Sequence, residues 1–211
     1  MMRGAVARNH PATPGRTATM RILLLVMALL LSGIGTGAAT DIGTGLSLFE
    51  RGEFEAAERE LRPLAENGDA RAQYVLGIIY LNEYVTPPGR TAAIEWIEKA
   101  AEQGYAQAQS ELARMYRTGD GVEQDFRKMV KWYRRAAEQG DVGAQLFLAD
   151  AYAYGHGMEP DLVQAYMWYE IAIQYWGPLA VRARDIIAEK MTKEEIARAV
   201  QLAGKWLRER E

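Results

Sequence analysis

The stretch Trp132–Gly140, WYRRAAEQG, decides how the rest of the chain is read, because the sequence nearly repeats it twice. Trp96–Gly104 is WIEKAAEQG, and Trp168–Trp176, WYEIAIQYW, opens a third copy. Both separations are 36 residues. A fixed period of roughly 20–50 residues marks an array in which each unit buries its apolar face only against its neighbours.

Folded at this period, other columns agree. Ala72, Ala108 and Ala144 align, as do Gln73, Gln109 and Gln145, and Leu76, Leu112 and Leu148. So do Gly77, Ala113 and Ala149, and Tyr80, Tyr116 and Tyr152. Their internal spacing of three and four residues is one face of a helix. A second set, beginning at Ala93, Met129 and Ala165 and running through the Trp column, again has helical period. Each unit is therefore a hairpin of helix A and helix B, and the chain is all-α. Small residues at 77, 113 and 149 are expected where the paired helices approach closely. The recurring Tyr and Trp read as interhelical packing with a polar rim, not as a ligand-stacking ladder.

Punctuation agrees. Gly104 and Gly140 are expected to end helix B in the left-handed conformation. Asp69 and Asp141 then cap the next helix A, and Asp125 and Asp161 cap helix B. Gly119-Asp120-Gly121 and Gly155-His156-Gly157 form the loops between A and B. The first full copy has Pro87-Pro88-Gly89 instead, which predicts a stiffer loop of different shape. Upstream, Ala57 and Gly68 mark a shorter, degenerate copy whose Tyr column holds Thr44, suited to an N-terminal cap. Downstream, a helix over about Leu179–Lys190 precedes one that starts with a capping box of Thr192 and Glu195. Met191 and Ile196 are placed to staple that start. Its apolar stripe is Ile196, Ala199, Val200, Ala203, Trp206 and Leu207. The organisation read from these marks is 41–69 degenerate repeat, 70–105, 106–141 and 142–177 repeats, and 178–211 capping helices.

Residues 1–39 differ in kind. They hold four Arg and no acid, and Arg21 precedes ten apolar residues, Ile22–Leu31, followed by small residues through Ala39. A basic start, a short apolar run and a small-residue exit predict a secretory signal peptide cleaved after Ala38 or Ala39, with translation starting at Met20. Only a retained segment would make the chain a membrane protein. Without these residues 21 basic face 28 acidic ones. That balance argues against nucleic acid, which needs clustered Lys and Arg. The absence of Cys removes disulfides, thiolate metal sites and a cysteine nucleophile.

Together, A-Q-x-x-L-[GA]-x-x-Y, G-x-G-[VM]-x-x-D and W-[YI]-x-x-A-A-E-Q-G resemble Sel-one-like repeats, a branch of the tetratricopeptide-like superfamily. The match covers about residues 41–177. The stretch RDIIAEKMTKEEIARAVQLAGKW resembles the capping pair of secreted bacterial members. The resemblance implies a right-handed α-solenoid that acts as an adaptor, binding a protein or peptide on a concave face lined by the A helices.

The A-helix positions outside the core columns are Arg71, Tyr74 and Ile78, then Gln107, Ser110, Arg114 and Arg117, then Leu146 and Asp150. This mixture suits a peptide groove, with Tyr74 and Arg114 expected to contribute to partner binding. No cofactor or metal is expected. His10 lies in the leader, so His156 is the one histidine of the mature chain, and a lone loop histidine is no metal centre. Asp120, Glu123 and Asp125 sit near a glycine misplaced for a calcium loop. Glu95 and Lys99 form an ordinary i,i+4 pair. The chain is read as a non-enzyme of the cell envelope. An accessory subunit of a cell-wall or polysaccharide enzyme is the alternative, and a hydrolase with a carboxylate pair assembled in space comes third.

Overall fold

The computed structural model describes residues 41–85 and 89–210. The expected signal segment and Pro87-Pro88 lie outside the described residues. All of the described residues belong to one compact unit, Thr40–Glu211.

Among the described residues there are ten α-helices and no strand. They are α1 (Ile42–Glu50), α2 (Phe54–Glu66), α3 (Ala70–Leu81), α4 (Arg90–Glu102) and α5 (Ala106–Thr118). The chain continues with α6 (Phe126–Glu138), α7 (Val142–Tyr154), α8 (Leu162–Trp176), α9 (Pro178–Ala188) and α10 (Lys193–Arg208). Consecutive helices pair, α1 with α2, α3 with α4, α5 with α6 and α7 with α8, and each hairpin packs on the next. Both α9 and α10 pack against α8.

The close approach inside each hairpin needs a small residue. A Cβ added at Gly77 would stand 2.6 Å from Ile97 Cγ1 and 3.1 Å from the Ala93 carbonyl. Ala113 and Ala149, one and two periods on, are fully buried. Gly45 has the same role in the first hairpin, where an added Cβ would meet Leu61 Cδ2 at 2.5 Å. Leu61 is one period before Ile97, but Gly45 is only 32 residues before Gly77. The first A–B connection is thus four residues shorter, and a strict period places its A helix four residues out of register. The occupant of the Tyr column there is Leu48, not Thr44.

Helix ends behave as the residues demand. Gly68, Gly104 and Gly140 have φ of 96°, 94° and 91°. The residue after Gly104 and after Gly140 donates back to the helix: Tyr105 N to Ala100 O and Asp141 N to Ala136 O, both at 3.0 Å. With Gly104 N to Ala101 O and Gly140 N to Ala137 O, this is the paired Schellman closure. Asp69 and Asp141 accept from Ala72 N and Ala144 N, each at 2.8 Å. Asp125 accepts from Arg127 N and Lys128 N, and Asp161 from Gln164 N. The Thr192–Glu195 capping box forms in both directions. Ala199 and Ala203 are buried and Trp206 meets Trp168 edge-on at 5.6 Å, but Val200 is exposed, outside the apolar stripe expected of it.

Two further regularities join one hairpin to the next. The first is a ladder of buried amides. Gln73, Gln109 and Gln145 are 5%, 3% and 2% exposed. Each directs Nε2 to a carbonyl near the end of the preceding helix B: Ala65 O at 2.9 Å, Ala101 O at 3.0 Å and Ala137 O at 3.5 Å. The glutamine of the AEQG stretch completes the pair, Gln103 donating to Gln73 Oε1 at 2.7 Å and Gln139 to Gln109 Oε1 at 2.8 Å. Each of these backbone carbonyls already accepts from the N–H of the closing glycine, and the buried side chain adds a second bond to its free lone pair while staying dry.

The second links each A–B loop to the first residue of the previous helix B. Tyr84 stacks on Phe54 with centroids 4.0 Å apart. Asp120 pairs with Arg90, and His156 stacks on Phe126 at 5.9 Å. All three pairs span thirty residues and repeat at the period. The contact therefore survives in the first full copy, although that loop lacks the GxG pattern.

Candidate partner groove

The outward faces of α3, α5 and α7 form a continuous lining. A cavity of about 350 Å³ is bounded by Tyr74 of α3, by Gln107, Ser110, Glu111, Arg114 and Arg117 of α5, and by Gly143 and Phe147 of α7. Asp141 and Tyr133 complete it. A second cavity of about 410 Å³ continues from it, sharing Arg117 and Phe147 and adding Phe126, Met129, Asp150, Tyr154 and His156.

Positions 107, 110, 111 and 114 form an i, i+3, i+4, i+7 stripe, so the lining is a direct product of helical period. Its equivalents on α7 are Gly143, Leu146, Phe147 and Asp150. Six of the nine residues singled out in the sequence fall on this lining. Tyr74, Gln107, Ser110, Arg114 and Arg117 line the first cavity; Arg117 and Asp150 line the second. Ile78 is partly buried against the core. Leu146 is 9% exposed and belongs to the core, because the helix turns that position inward and gives the groove to Phe147. Arg71 is exposed and lines neither cavity. Reasoning by columns misses Glu111 and Phe147, which the same stripe contains. It also misses Tyr133 and His156, which read as scaffold and turn; only tertiary packing brings them to the groove.

The walls are held from within. Asp141 accepts from Ser110 Oγ at 3.0 Å while capping α7. In the middle copy Tyr105 replaces the capping Asp, and its ring meets Tyr74 at 5.3 Å. Burial pushes the Tyr74 phenol up to about 12, with help from the nearby acids. Arg114 is tied: Glu111 accepts from Nη2 at 2.7 Å and Asp120 at 3.2 Å, bonds that hold its charge firmly. Burial pulls the Asp120 carboxyl up, yet Arg114 and Arg90 hold it below the ordinary value. Arg117 is different. Its guanidinium lies 4.9 Å over the Phe147 ring, its Nε is buried without a partner, and it makes no ion pair among the described residues.

In the second cavity, Asp150 accepts from the Tyr169 hydroxyl at 2.5 Å. Burial raises the Asp150 carboxyl, against the opposing pull of that bond and of His156. The sign of the resulting linkage is definite. A carboxyl whose folded pKa is raised makes the fold relatively less stable above that pKa, and this cost disappears as pH falls to the unfolded value. Asp150→Asn keeps an oxygen for Tyr169 and removes the titration. The stability of the variant relative to the parent is expected to be greatest at neutral pH and to fall toward about pH 4. Urea unfolding at several pH values checks this, and a pH-independent difference would contradict it.

Among the described residues, no group of three or more His, Asp or Glu is placed to hold a metal ion. No helix among them is long and apolar enough to cross a membrane.

The repeat geometry has recognisable counterparts. The family model for the Sel1 repeat matches residues 70–105, 106–141 and 142–174. The crystal structure of a Sel1 repeat protein from Oxalobacter formigenes is 36% identical, with a TM-score of 0.56. The match covers 60% of this chain and 96% of that one. The chain belongs to the Sel1 repeat family. A protective antigen present in uropathogenic Escherichia coli strains, which displays an SLR fold, is 34% identical with a TM-score of 0.64. That match covers 73% of this chain but 33% of the antigen, so this Sel1 repeat chain spans about a third of the antigen's length. No curated protein sequence matches it. Membership makes the chain a Sel1 repeat scaffold, and the groove is built from the positions at which its three full repeats differ.

Proposed function

We propose that this Sel1 repeat protein is a non-catalytic adaptor of the bacterial cell envelope that holds an extended segment of a partner protein across α3, α5 and α7. The observation that carries this reading is Arg117, shared by two adjoining cavities, backed by an aromatic ring and left without an ion partner while the neighbouring charges are satisfied. A partly desolvated guanidinium with spare donors favours a carboxylate, since charge-assisted hydrogen bonds are about twice as strong as neutral ones. Tyr74, Tyr105 and Phe147 offer apolar area beside it, the composition of binding anchors. The ligand suggested is a peptide stretch that presents an acidic side chain next to an apolar one. The leader-like residues 1–39 support export as the route to such a partner.

Selection from a random-peptide display library tests the reading. Enriched peptides are expected to share a carboxylate flanked by apolar residues. Arg117→Ala should weaken them by about 10–100-fold, as expected for bonds to a charged group. The pair Tyr74→Ala plus Arg114→Ala should also weaken them. Binders indifferent to both variants would place the partner site elsewhere. Turnover of a cell-wall or glycan substrate by the purified protein alone would favour a hydrolase instead.

A further inference from the structure

The end of the third repeat presents a polar group that the first two repeats satisfy with their own side chains. The residue that continues the Gln103–Gln139 column, one period after Gln139, is Tyr175. The Tyr175 side chain turns outward and its hydroxyl makes no hydrogen bond to the buried glutamine. Gln145 Oε1 is accordingly buried without a partner, although Gln73 Oε1 and Gln109 Oε1 each accept a bond, at 2.7 Å and 2.8 Å. Tyr175 itself is 64% exposed. Beside these residues lies a cavity of about 580 Å³, lined by Gln145, Tyr175, Trp206 and Arg210 among others. The Trp206 indole N–H is also buried without a partner. Arg210 is engaged, donating to Glu138 O at 3.0 Å and to Trp206 O at 3.2 Å.

We propose that this cavity binds a primary carboxamide, the side chain of a glutamine or asparagine on a partner polypeptide. The fold itself supports the choice. At the two equivalent places upstream, the group that fits against the buried glutamine is a glutamine side chain. A carboxamide carries the N–H that Gln145 Oε1 needs and an oxygen for the indole N–H. A carboxylate would set like oxygens against Gln145 Oε1, and an alkyl chain would leave both polar atoms unpaired, which is costly in a buried site. The volume is that of a small-ligand pocket. The site lies at the Tyr175 end of α8, apart from the groove, so the two readings stand or fall separately.

The test is a titration of the whole protein, followed by the side-chain amide signals of Gln145 and the indole signal of Trp206 in NMR spectra. The signals are assigned with Gln145→Leu and Trp206→Phe. The probes are N-acetylglutamine N-methylamide, its norleucine analogue and free glutamine, each taken to about 50 mM, the range of weak fragment affinity. A saturable shift of both signals with the glutamine probes and none with norleucine is expected. Stronger binding of the capped form than of free glutamine assigns the source to a polypeptide. In Tyr175→Gln, an exposed position, the internal amide should occupy the site. The shifts should then be lost, and the melting temperature should rise by about 2–4 °C. Equal shifts with norleucine, no saturable shift with any probe, tighter binding of free glutamine, or a Tyr175→Gln variant that binds like the parent each overturns the proposal.

Discussion

Gly157→Ala is expected to cost about 3 kcal/mol, the sum of a left-handed backbone and an overlap in a packed site. Gly157 has φ of 77°. A Cβ there would run into the Phe126 carbonyl and stand 2.9 Å from Arg127 N, which is backbone at the start of α6 and cannot swing aside. Gly155 is the proper comparison. Its φ is 74°, but an added Cβ would approach the ring of Pro160 at 3.0 Å. Gly155→Ala is therefore expected to lose mainly the conformational part, about 1–2 kcal/mol. For a chain of this length, a loss of about 3 kcal/mol lowers the melting temperature by about 6–12 °C. Thermal unfolding followed by circular dichroism measures both. A loss at Gly157 no larger than that at Gly155 would mean that the loop moves away from α6. The same loop seats His156 on Phe126, so a shift of the loop also opens the second cavity.

Gln109→Leu is expected to cost about 1–3 kcal/mol, the loss of two buried hydrogen bonds, whereas Gln145→Leu should cost less than about 1 kcal/mol. The chemistry removed is the same and both side chains are buried. The difference is what each leaves behind. Without Gln109, the Ala101 carbonyl keeps only its bond from Gly104 N, and the Gln139 amide keeps only a long bond to Arg135 O at 3.4 Å. Gln145 holds one bond, at 3.5 Å, and already carries an unpaired oxygen. Equilibrium denaturation of the two variants decides the matter. Equal losses would show that the ladder acts through packing volume, not through its hydrogen bonds.

Much of the scaffold is legible in the sequence because one physical problem is solved several times in one chain. Burial, helix closure and capping impose the same residue type at the same place in each unit, as the Gly77–Ala113–Ala149 and Gly68–Gly104–Gly140 columns do. A contact whose partners change type leaves no such trace. The Tyr84–Phe54 stack, the Asp120–Arg90 ion pair and the His156–Phe126 stack occupy one structural position, yet share no pairing chemistry throughout. The first hairpin departs from its expected register at Thr44 for a related reason. A four-residue shortening of its loop preserves the packing of Gly45 on Leu61 and destroys the numerical spacing.

The candidate groove divides in the same way. Helical period alone brings Gln107, Ser110 and Arg114 to one face of α5, and the same period reaches Glu111 and Phe147. It cannot say that Leu146 turns into the core, nor that Tyr133 of a B helix reaches a lining made chiefly of A helices. It also cannot separate Arg114 from Arg117. One is bound to Glu111 and Asp120, the other is without an ion partner among the described residues, and that difference rests on a loop folding back onto α5.

By itself the sequence determined the period, the helical hairpins, their caps and the close approach of paired helices. Each of these follows from local backbone geometry or from a spacing within one helix. Only the tertiary structure decided which charge is unpaired, which aromatic faces the groove, and that Gln145 has no amide to answer it. Those properties depend on distances between side chains on different helices and loops, and residue spacing along the chain does not encode them.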